Sequence, residues 1–212
     1  MRPAVFLDRD GTLIEDVGYL HSLDQVALYP WTVDTVRALN HSGLPVVVVT
    51  NQAGVARGLF DEAFVDETHR HLSAILQAGR ARIDAYYYCP HHPDGKVERY
   101  ARTCECRKPG RGLVDRAVRD LGLDPARSFV VGDTWLDVGL GRAVGARSVL
   151  VRTGGGAWWE ARPHPTVTAD VIVDNVAAAA SWIISSLNSE ISSLNPEISS
   201  LKSELRSLKS EL

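Results

Sequence analysis

Short apolar runs alternate along the chain with longer segments in which apolar side chains recur every three or four positions. The apolar runs, which predict β-strands, cover residues 4–7, 45–50, 83–88, 128–133 and 147–151, and a shorter run at 170–174 would extend the same sheet. The amphipathic segments, which predict α-helices, cover residues 31–42, 61–78, 110–121 and 136–144. Strands that are apolar on both faces and alternate with helices indicate a parallel sheet covered on both sides. We therefore predict a doubly wound, Rossmann-like α/β fold.

The C-terminal part of the chain follows a different pattern. Its apolar residues alternate between spacings of three and four, which is the seam of a heptad repeat. The seam residues are Ile184, Leu187, Ile191, Leu194, Ile198, Leu201, Leu205, Leu208 and Leu212. We predict a heptad-repeat helical tail at 183–212, of natural or engineered origin, appended to a monomeric domain at 1–182. The tail would self-associate as a coiled coil, with a kink at Pro196; a poorly ordered Ser-rich tail is the alternative.

Composition narrows the class of protein. The 212 residues are 45% hydrophobic with a net charge of −3, which suits a globular domain and argues against a nucleic-acid platform. No apolar run approaches the roughly 20 residues of a membrane span, and the charged N-terminal region predicts no signal peptide. The three cysteines fall between positions 89 and 106, and such a clustered, odd set is typical of metal binding in a reducing compartment. We expect a cytoplasmic protein.

Polar residues follow four of the predicted strands. They are Asp8 and Asp10 after the first, Thr50, Asn51 and Gln52 at the second, Cys89 after the third, and Gly132 and Asp133 at the fourth. The carboxyl ends of parallel strands share one edge of a sheet, and ligands bind in such folds outside that edge. Any one of these residues alone would be ordinary at the end of a strand. Together they predict a functional site.

The spacing of Asp8 and Asp10 predicts a metal site. Two carboxylates this close repel each other unless a cation lies between them, and ligands that are all oxygen favour Mg²⁺. Asp133 would supply a third ligand. A single Asp-x-Asp is usually a solvated loop or a helix cap, so the prediction depends on the ordered set that includes Thr50 and Lys108.

The same residues suit phosphoryl transfer. A carboxylate is a nucleophile toward phosphorus, so Asp8 would form an aspartyl-phosphate, while Asp10 would protonate the leaving oxygen and later accept a proton from water. Lys108 and the hydroxyl of Thr50 would stabilise charge on the transferred oxygens.

Two short motifs, 89-CPHH-92 and 104-CEC-106, predict a second metal site. Cys89, Cys104 and Cys106 with one imidazole make a Cys₃His set, which is typical of closed, structural zinc. The residues alone leave the imidazole open between His91 and His92. This loop, at 89–106, would place Arg107 and Lys108 near the phosphate.

The motifs resemble those of the haloacid dehalogenase superfamily of phosphatases. They are 8-DRDGT-12, Thr50, Lys108 and 132-GDTWLD-137. Within the superfamily the chain is similar to the zinc-containing, histidinol-phosphatase-like subfamily, and more closely to the D-glycero-D-manno-heptose-1,7-bisphosphate 7-phosphatases, through 18-GYL-20, 48-VVTNQAGVARG-58, 86-YYYCPHHPDG-95 and 104-CECRKPG-110. The segments after the first two strands are too short for a large cap domain.

The resemblance implies roles for particular residues. Mg²⁺ would be held by Asp8, the main-chain carbonyl of Asp10, and Asp133, and His91 would be the zinc-binding imidazole. A sugar phosphate would be contacted by Asp16, Val17, Gly18, Tyr19, Thr50, Asn51, Gln52, Ala53, Arg107 and Lys108. Two positions depart from the family: Thr134, where Lys is common, and Ala53, where Ser is common.

The implied activity is hydrolysis of the C7 phosphate of a heptose 1,7-bisphosphate, in the synthesis of nucleotide-activated heptose. One alternative is a histidinol-phosphate phosphatase, which resembles this chain through the same motifs but usually has a shorter loop between the His and the second Cys pair. Here residues 92–103 form that loop. An alternative of another class is a non-catalytic assembly module carried on a coiled coil.

Overall fold

Six strands form one parallel sheet. The computed structural model describes residues 1–194, with side chains to residue 190. The strands are β1 Val5–Leu7, β2 Val46–Asn51, β3 Ala85–Cys89, β4 Phe129–Gly132, β5 Arg147–Val151 and β6 Val171–Val173. They lie in the order β3-β2-β1-β4-β5-β6, and every adjacent pair is parallel. The five predicted strands and the shorter sixth are confirmed.

Seven α-helices connect or follow these strands. They are α1 Thr32–His41, α2 Ala53–Arg57, α3 Glu62–Ala78, α4 Gly112–Leu121, α5 Trp135–Val144, α6 Gly156–Glu160 and α7 Val176–Leu194. The four predicted helices are α1, α3, α4 and α5, each within two residues of the expected bounds. The short helices α2 and α6 were not predicted, because five residues are too few to show a helical period.

The sheet is buried on both faces, which explains its continuous apolar runs. Side chains alternate between faces along a strand, so Val5 and Leu7 pack with α1, α3 and α7, while Phe6 packs with α4 and α5. Burying a large apolar side chain contributes about 1.5–3 kcal/mol. Every helix of the described part that exceeds five residues belongs to one of these layers, so residues 1–194 contain no cap domain.

Strand register brings the predicted site residues to one edge. Leu7 lies opposite Val48 in β2 and Val131 in β4. Asp8 therefore leaves β1 at the level where β4 ends in Gly132 and β2 approaches Thr50. The backbone N–H of Asp8 still donates to the carbonyl of Val131, at 2.9 Å, which fixes the first residue beyond the strand.

The last helix begins inside the domain and continues across the predicted boundary at residue 182. Ile183 is fully buried, and Ile184 and Leu187 pack against the core. The remaining seam residues, from Ile191 onward, lie outside the described side chains, so the coiled coil stays a prediction. No helix within residues 1–194 combines the length and apolar content that a membrane crossing requires.

Candidate active site

Three buried carboxylates and one buried lysine meet at the carboxyl edge of the sheet. Asp8 follows β1, Asp133 follows β4, and Asp137 lies in the first turn of α5. Their carboxylate oxygens lie within 4.8 Å of one another. The Nζ atom of Lys108 is 2.8 Å from Asp8 Oδ2 and 2.6 Å from Asp137 Oδ1. Three acids against one base leave the cluster short of positive charge.

The electrostatics of this cluster fit a divalent cation. Burial raises the pKa of Asp8 to about 7, with Lys108 opposing and Asp137 adding to the shift. Burial and the charge of Asp8 raise the pKa of Asp133 to about 8. Burial works against the charge of Lys108, but Asp137 and Asp8 together raise its pKa above the usual value. Oxygen donors gathered in this way are the ligands that Mg²⁺ prefers.

The carboxylate of Asp10 is not a member of the three-carboxylate cluster. Arg9 donates to both of its oxygens, with Nε 3.2 Å from Oδ2 and Nη2 3.1 Å from Oδ1. Gln52 Nε2 donates to Oδ2 at 2.9 Å and to Thr50 Oγ1 at the same distance. The predicted participation of Asp10 in metal binding is therefore compatible with its main-chain carbonyl, not with its carboxylate as oriented here.

The loop after β5 packs under the carboxylate of Asp133. The N–H of Gly155 donates to Asp133 Oδ2 at 2.7 Å, and Thr153 Oγ1 donates to the carbonyl of Gly11 at 2.6 Å. Gly11 has φ +75°, and a Cβ there would lie 2.4 Å from Asp133 Oδ2. A Cβ on Gly154 would come equally close to the same oxygen. Sequence reasoning missed this loop, although three consecutive glycines are a signal of close backbone approach.

A cavity of about 330 Å³ opens above these carboxylates. The predicted substrate-binding residues in its wall are Asp16, Gly18, Tyr19, Thr50, Asn51, Gln52, Ala53, Arg107 and Lys108. Val17 is not in the wall; its side chain is exposed. Asn51 also has a positioning contact, because its Oδ1 accepts from the backbone N–H of Lys108 at 3.0 Å. The wall includes Arg9, Leu20, Gly54, Phe60, Thr134 and Leu136 as well, which sequence reasoning did not assign.

The cysteines form a compact cluster beside this cavity. Their Sγ atoms lie 3.0–3.4 Å apart, and Nδ1 of His91 is 3.3 Å from Cys106 Sγ and 3.6 Å from Cys89 Sγ. Tetrahedral zinc with four such ligands separates its sulfurs by about 3.8 Å, so the donor set fits zinc with a small expansion. Hydrogen bonding with Cys89 lowers the pKa of the Cys106 thiol to about 5.

The structure separates His91 from its neighbour. His92 turns away from the sulfurs, and its Nδ1 accepts from the backbone N–H of Asp94 at 3.1 Å. Arg107 connects the two sites, because its Nη1 donates to the carbonyl of His91 at 3.3 Å while its side chain lines the cavity.

Comparison with known proteins agrees with this geometry. Residues 4–140 match the family model described as polynucleotide kinase 3 phosphatase, and residues 105–179 match that of HAD-hydrolase-like proteins. A D-glycero-beta-D-manno-heptose-1,7-bisphosphate 7-phosphatase of Yersinia pestis is 41% identical over 188 residues, 87% of this chain and 91% of its own. The Escherichia coli K12 protein of the same name is 40% identical over 187 residues, again 87% of this chain and 90% of its own. The chain belongs to the heptose-bisphosphate phosphatase family of haloacid dehalogenase-like hydrolases.

A solved structure of the same family supports this. The D,D-heptose 1,7-bisphosphate phosphatase from B. bronchiseptica, crystallised with magnesium and phosphate, superposes with a TM-score of 0.76 at 31% identity. The match covers 88% of this chain and 99% of that one. The bound ions of that relative agree with the oxygen donor set found here around Asp8 and Asp133.

Thr134 has a local role in this chain. Its N–H and Oγ1 both donate to Asp137 Oδ2, at 3.2 and 2.7 Å. These bonds cap the start of α5 and fix the carboxylate that holds Lys108. A lysine at this position could not make the hydroxyl contact.

Proposed function

We propose that this protein hydrolyses the C7 phosphate of D-glycero-D-manno-heptose 1,7-bisphosphate, in the path to nucleotide-activated heptose. The observation that carries the proposal is Asp8, held by Lys108 among buried carboxylates at the floor of an open cavity. The relatives, which share about two fifths of their residues with this chain, support the choice of sugar.

The chemistry is a double displacement at phosphorus. An oxygen of Asp8 attacks the C7 phosphorus, the bond from phosphorus to the sugar oxygen breaks, and protonated Asp10 gives its proton to that oxygen. Asp10, now a carboxylate, takes a proton from water as the water oxygen attacks the aspartyl-phosphate. The bond to Asp8 then breaks, and inorganic phosphate leaves. Lys108 and the Thr50 hydroxyl stabilise the charge on the transferred oxygens.

Asp8, the main-chain carbonyl of Asp10, and Asp133 would hold Mg²⁺. The ion would neutralise the carboxylates and attract the phosphoryl oxygens. The rest of the substrate would be contacted by residues 16–19, residues 50–53 and Arg107, which line or border the cavity. A bisphosphate suits such an open site, since its second phosphate provides a charged group for recognition.

The cysteine cluster would hold a structural zinc ion through Cys89, His91, Cys104 and Cys106. No ligand position remains for water in such a set. We infer that zinc orders the 89–106 loop and thereby Arg107 and Lys108, which follow it directly. Three unpaired thiols suit the reducing cytoplasm, where we place the protein. The domain would be a monomer, with self-association left to the tail.

The test compares kcat/KM with Mg²⁺ for heptose 1,7-bisphosphate, histidinol phosphate and fructose 1,6-bisphosphate. We expect the heptose bisphosphate to be preferred on the order of 100-fold, because polar groups that pair with the hydroxyls of one substrate are left unpaired by another. A higher kcat/KM for histidinol phosphate would contradict the choice of heptose as substrate. The aspartyl-phosphate mechanism would still stand. Absence of turnover on all three would favour the non-catalytic assembly module.

A further inference from the structure

The carboxylate of Asp10 is fixed by a guanidinium that is itself buried. Arg9 is only 2% exposed. Its Nε and Nη2 face the two oxygens of Asp10 as a planar fork. Such bidentate contacts set the plane of a carboxylate as well as its distance. The orientation of Asp10 therefore depends on the placement of Arg9.

The third nitrogen of the guanidinium contacts a residue from a distant helix. Arg9 Nη1 lies 3.3 Å from Nε2 of His69, which is in the middle of α3. His69 is 6% exposed, and its ring stacks on Tyr86 with centroids 4.6 Å apart and planes 19° apart. Ser73 in turn donates to the hydroxyl of Tyr86 at 2.9 Å. The imidazole thus has little freedom to move.

The imidazole is suited to accept a hydrogen bond from arginine. Burial lowers the pKa of His69 to about 3, with Arg9 contributing, so the ring is neutral near pH 7. A neutral ring with its proton on Nδ1 leaves Nε2 as the acceptor. Arg9 then has a partner on each side: the carboxyl group of Asp10 in the cavity and a neutral acceptor in the core.

We propose that His69 is a positioning residue, which acts through Arg9 to orient Asp10 for proton transfer to the leaving sugar oxygen. The inference rests on the proposed function, because it assumes Asp10 as the proton donor. A positioning role for His69 differs from a merely structural role in one respect. Misplacing a proton donor slows reactions that need a proton on the leaving group and spares those that do not.

Two phosphate esters distinguish these roles. The leaving group of heptose 1,7-bisphosphate is a sugar alkoxide that must be protonated, whereas the leaving group of p-nitrophenyl phosphate is a stable phenolate. The parameter to measure is kcat/KM, which reports the step in which the ester bond breaks. We expect His69→Phe, which keeps an aromatic ring but has no acceptor, to lower kcat/KM for the heptose bisphosphate about 10- to 100-fold. For p-nitrophenyl phosphate we expect a change below about threefold.

Conservative variants complete the test. His69→Gln places an amide oxygen near the position of Nε2 and should restore kcat/KM for the heptose bisphosphate to within about threefold of the unmodified protein. Arg9→Lys, which cannot form the planar fork, should reproduce the selective loss and serves if His69→Phe fails to fold. His71→Phe, two residues along the same helix, controls for the exchange of an imidazole for a phenyl ring and should leave kcat/KM for both esters unchanged. Thermal unfolding of each variant reports its fold.

Two results would overturn the inference. In one, His69→Phe and Arg9→Lys lower kcat/KM equally for both esters, which would indicate a general structural role. In the other, neither variant changes kcat/KM for either ester. Failure of the unmodified protein to hydrolyse either ester would instead remove the proposed function, and this inference with it.

Discussion

The carboxylate cluster draws its members from segments far apart in the chain, whereas the cysteine cluster is contained within residues 89–106. Asp8 and Asp133 meet only because β1 and β4 are neighbours in the sheet. Cys104 and Cys106 come from one tight turn and meet Cys89 at the end of β3. The first site depends on the whole fold, and the second depends on one loop.

The two clusters also differ in charge balance. Burial and the neighbouring carboxylates raise the pKa of Asp8 and of Asp133, so ionising these two groups without a cation destabilises the fold. The cysteine cluster has softer donors and sits beside the cavity, with Arg107 joining the two. A change in the first should therefore act on turnover, and a change in the second on stability first and on turnover indirectly.

Asp8→Asn should have the largest effect on turnover. The amide cannot form the aspartyl-phosphate, so kcat should fall by at least about 10⁴-fold. The fold and the zinc content should be retained, because the side chains have the same shape and the cysteine loop is untouched. Steady-state assays and zinc analysis on the same sample measure both. Retention of the original turnover, or a phosphoryl label trapped on another residue, would refute the role of Asp8.

Cys104→Ser should lower both the stability and the turnover of the protein. Loss of one thiolate should abolish bound zinc and lower the free energy of unfolding by about 3 kcal/mol, or roughly 6–12 °C in Tm. The disordered loop should displace Arg107 and Lys108 and lower kcat/KM about 10- to 100-fold. Zinc analysis, thermal unfolding and steady-state kinetics test these points. Full activity in the zinc-free variant would show that the loop does not position the catalytic lysine.

The contrast explains what sequence reasoning could and could not find. The cysteine ligands were predictable because each pair is local. The family resemblance indicated His91 rather than His92, and the structure brings Nδ1 of His91 against the sulfurs. Asp8 and Asp133 were predictable because parallel strands end at a common edge. The contact of Arg9 with His69 was not, since it joins residues 60 apart through side-chain packing. No local pattern encodes such a contact.

The hydrogen bond from the N–H of Gly155 to Asp133 is another contact that no local sequence pattern predicts. The φ of Gly155, −84°, is close to the value that proline adopts, so Gly155→Pro keeps this backbone angle, removes the N–H that donates to Asp133 and directs the ring Cδ at the same carboxylate oxygen. Losing a hydrogen bond to a charged group costs about 1.5–3 kcal/mol, and the Cδ contact displaces the carboxylate as well, so the Mg²⁺ concentration for half-maximal activity should rise roughly tenfold or more. Titration of activity with Mg²⁺ measures this.

Gly155→Ala is the matched control for that substitution. It keeps the N–H, and its Cβ would meet Trp159 at 3.3 Å, as would the Cβ of proline. We expect its Mg²⁺ requirement to stay within about twofold of the original. Equal shifts in the two variants would assign the effect to crowding against Trp159 and remove the proposed role of the N–H.

The smallest predicted effect concerns pH. Folded-state pKa values of about 7 for Asp8 and about 8 for Asp133 lie above those of unfolded carboxyl groups. Without Mg²⁺ the native state therefore holds more protons than the unfolded state, and its free energy of unfolding falls as pH rises from about 4 to 8. Mg²⁺ needs ionised carboxylates, so its stabilisation should be larger at pH 8 than at pH 6.

Thermal unfolding with and without saturating Mg²⁺, at these two pH values, measures that difference. A gain of about 1 kcal/mol would appear as roughly 2–4 °C in Tm. Asp133→Asn removes one of the two acids and should shrink the difference, whereas Asp84→Asn, at the opposite end of the sheet where it accepts from the N–H of Val46, should preserve it. Equal stabilisation by Mg²⁺ at both pH values would mean that the carboxylate cluster is already ionised, and the contrast in charge balance between the two clusters would then be lost.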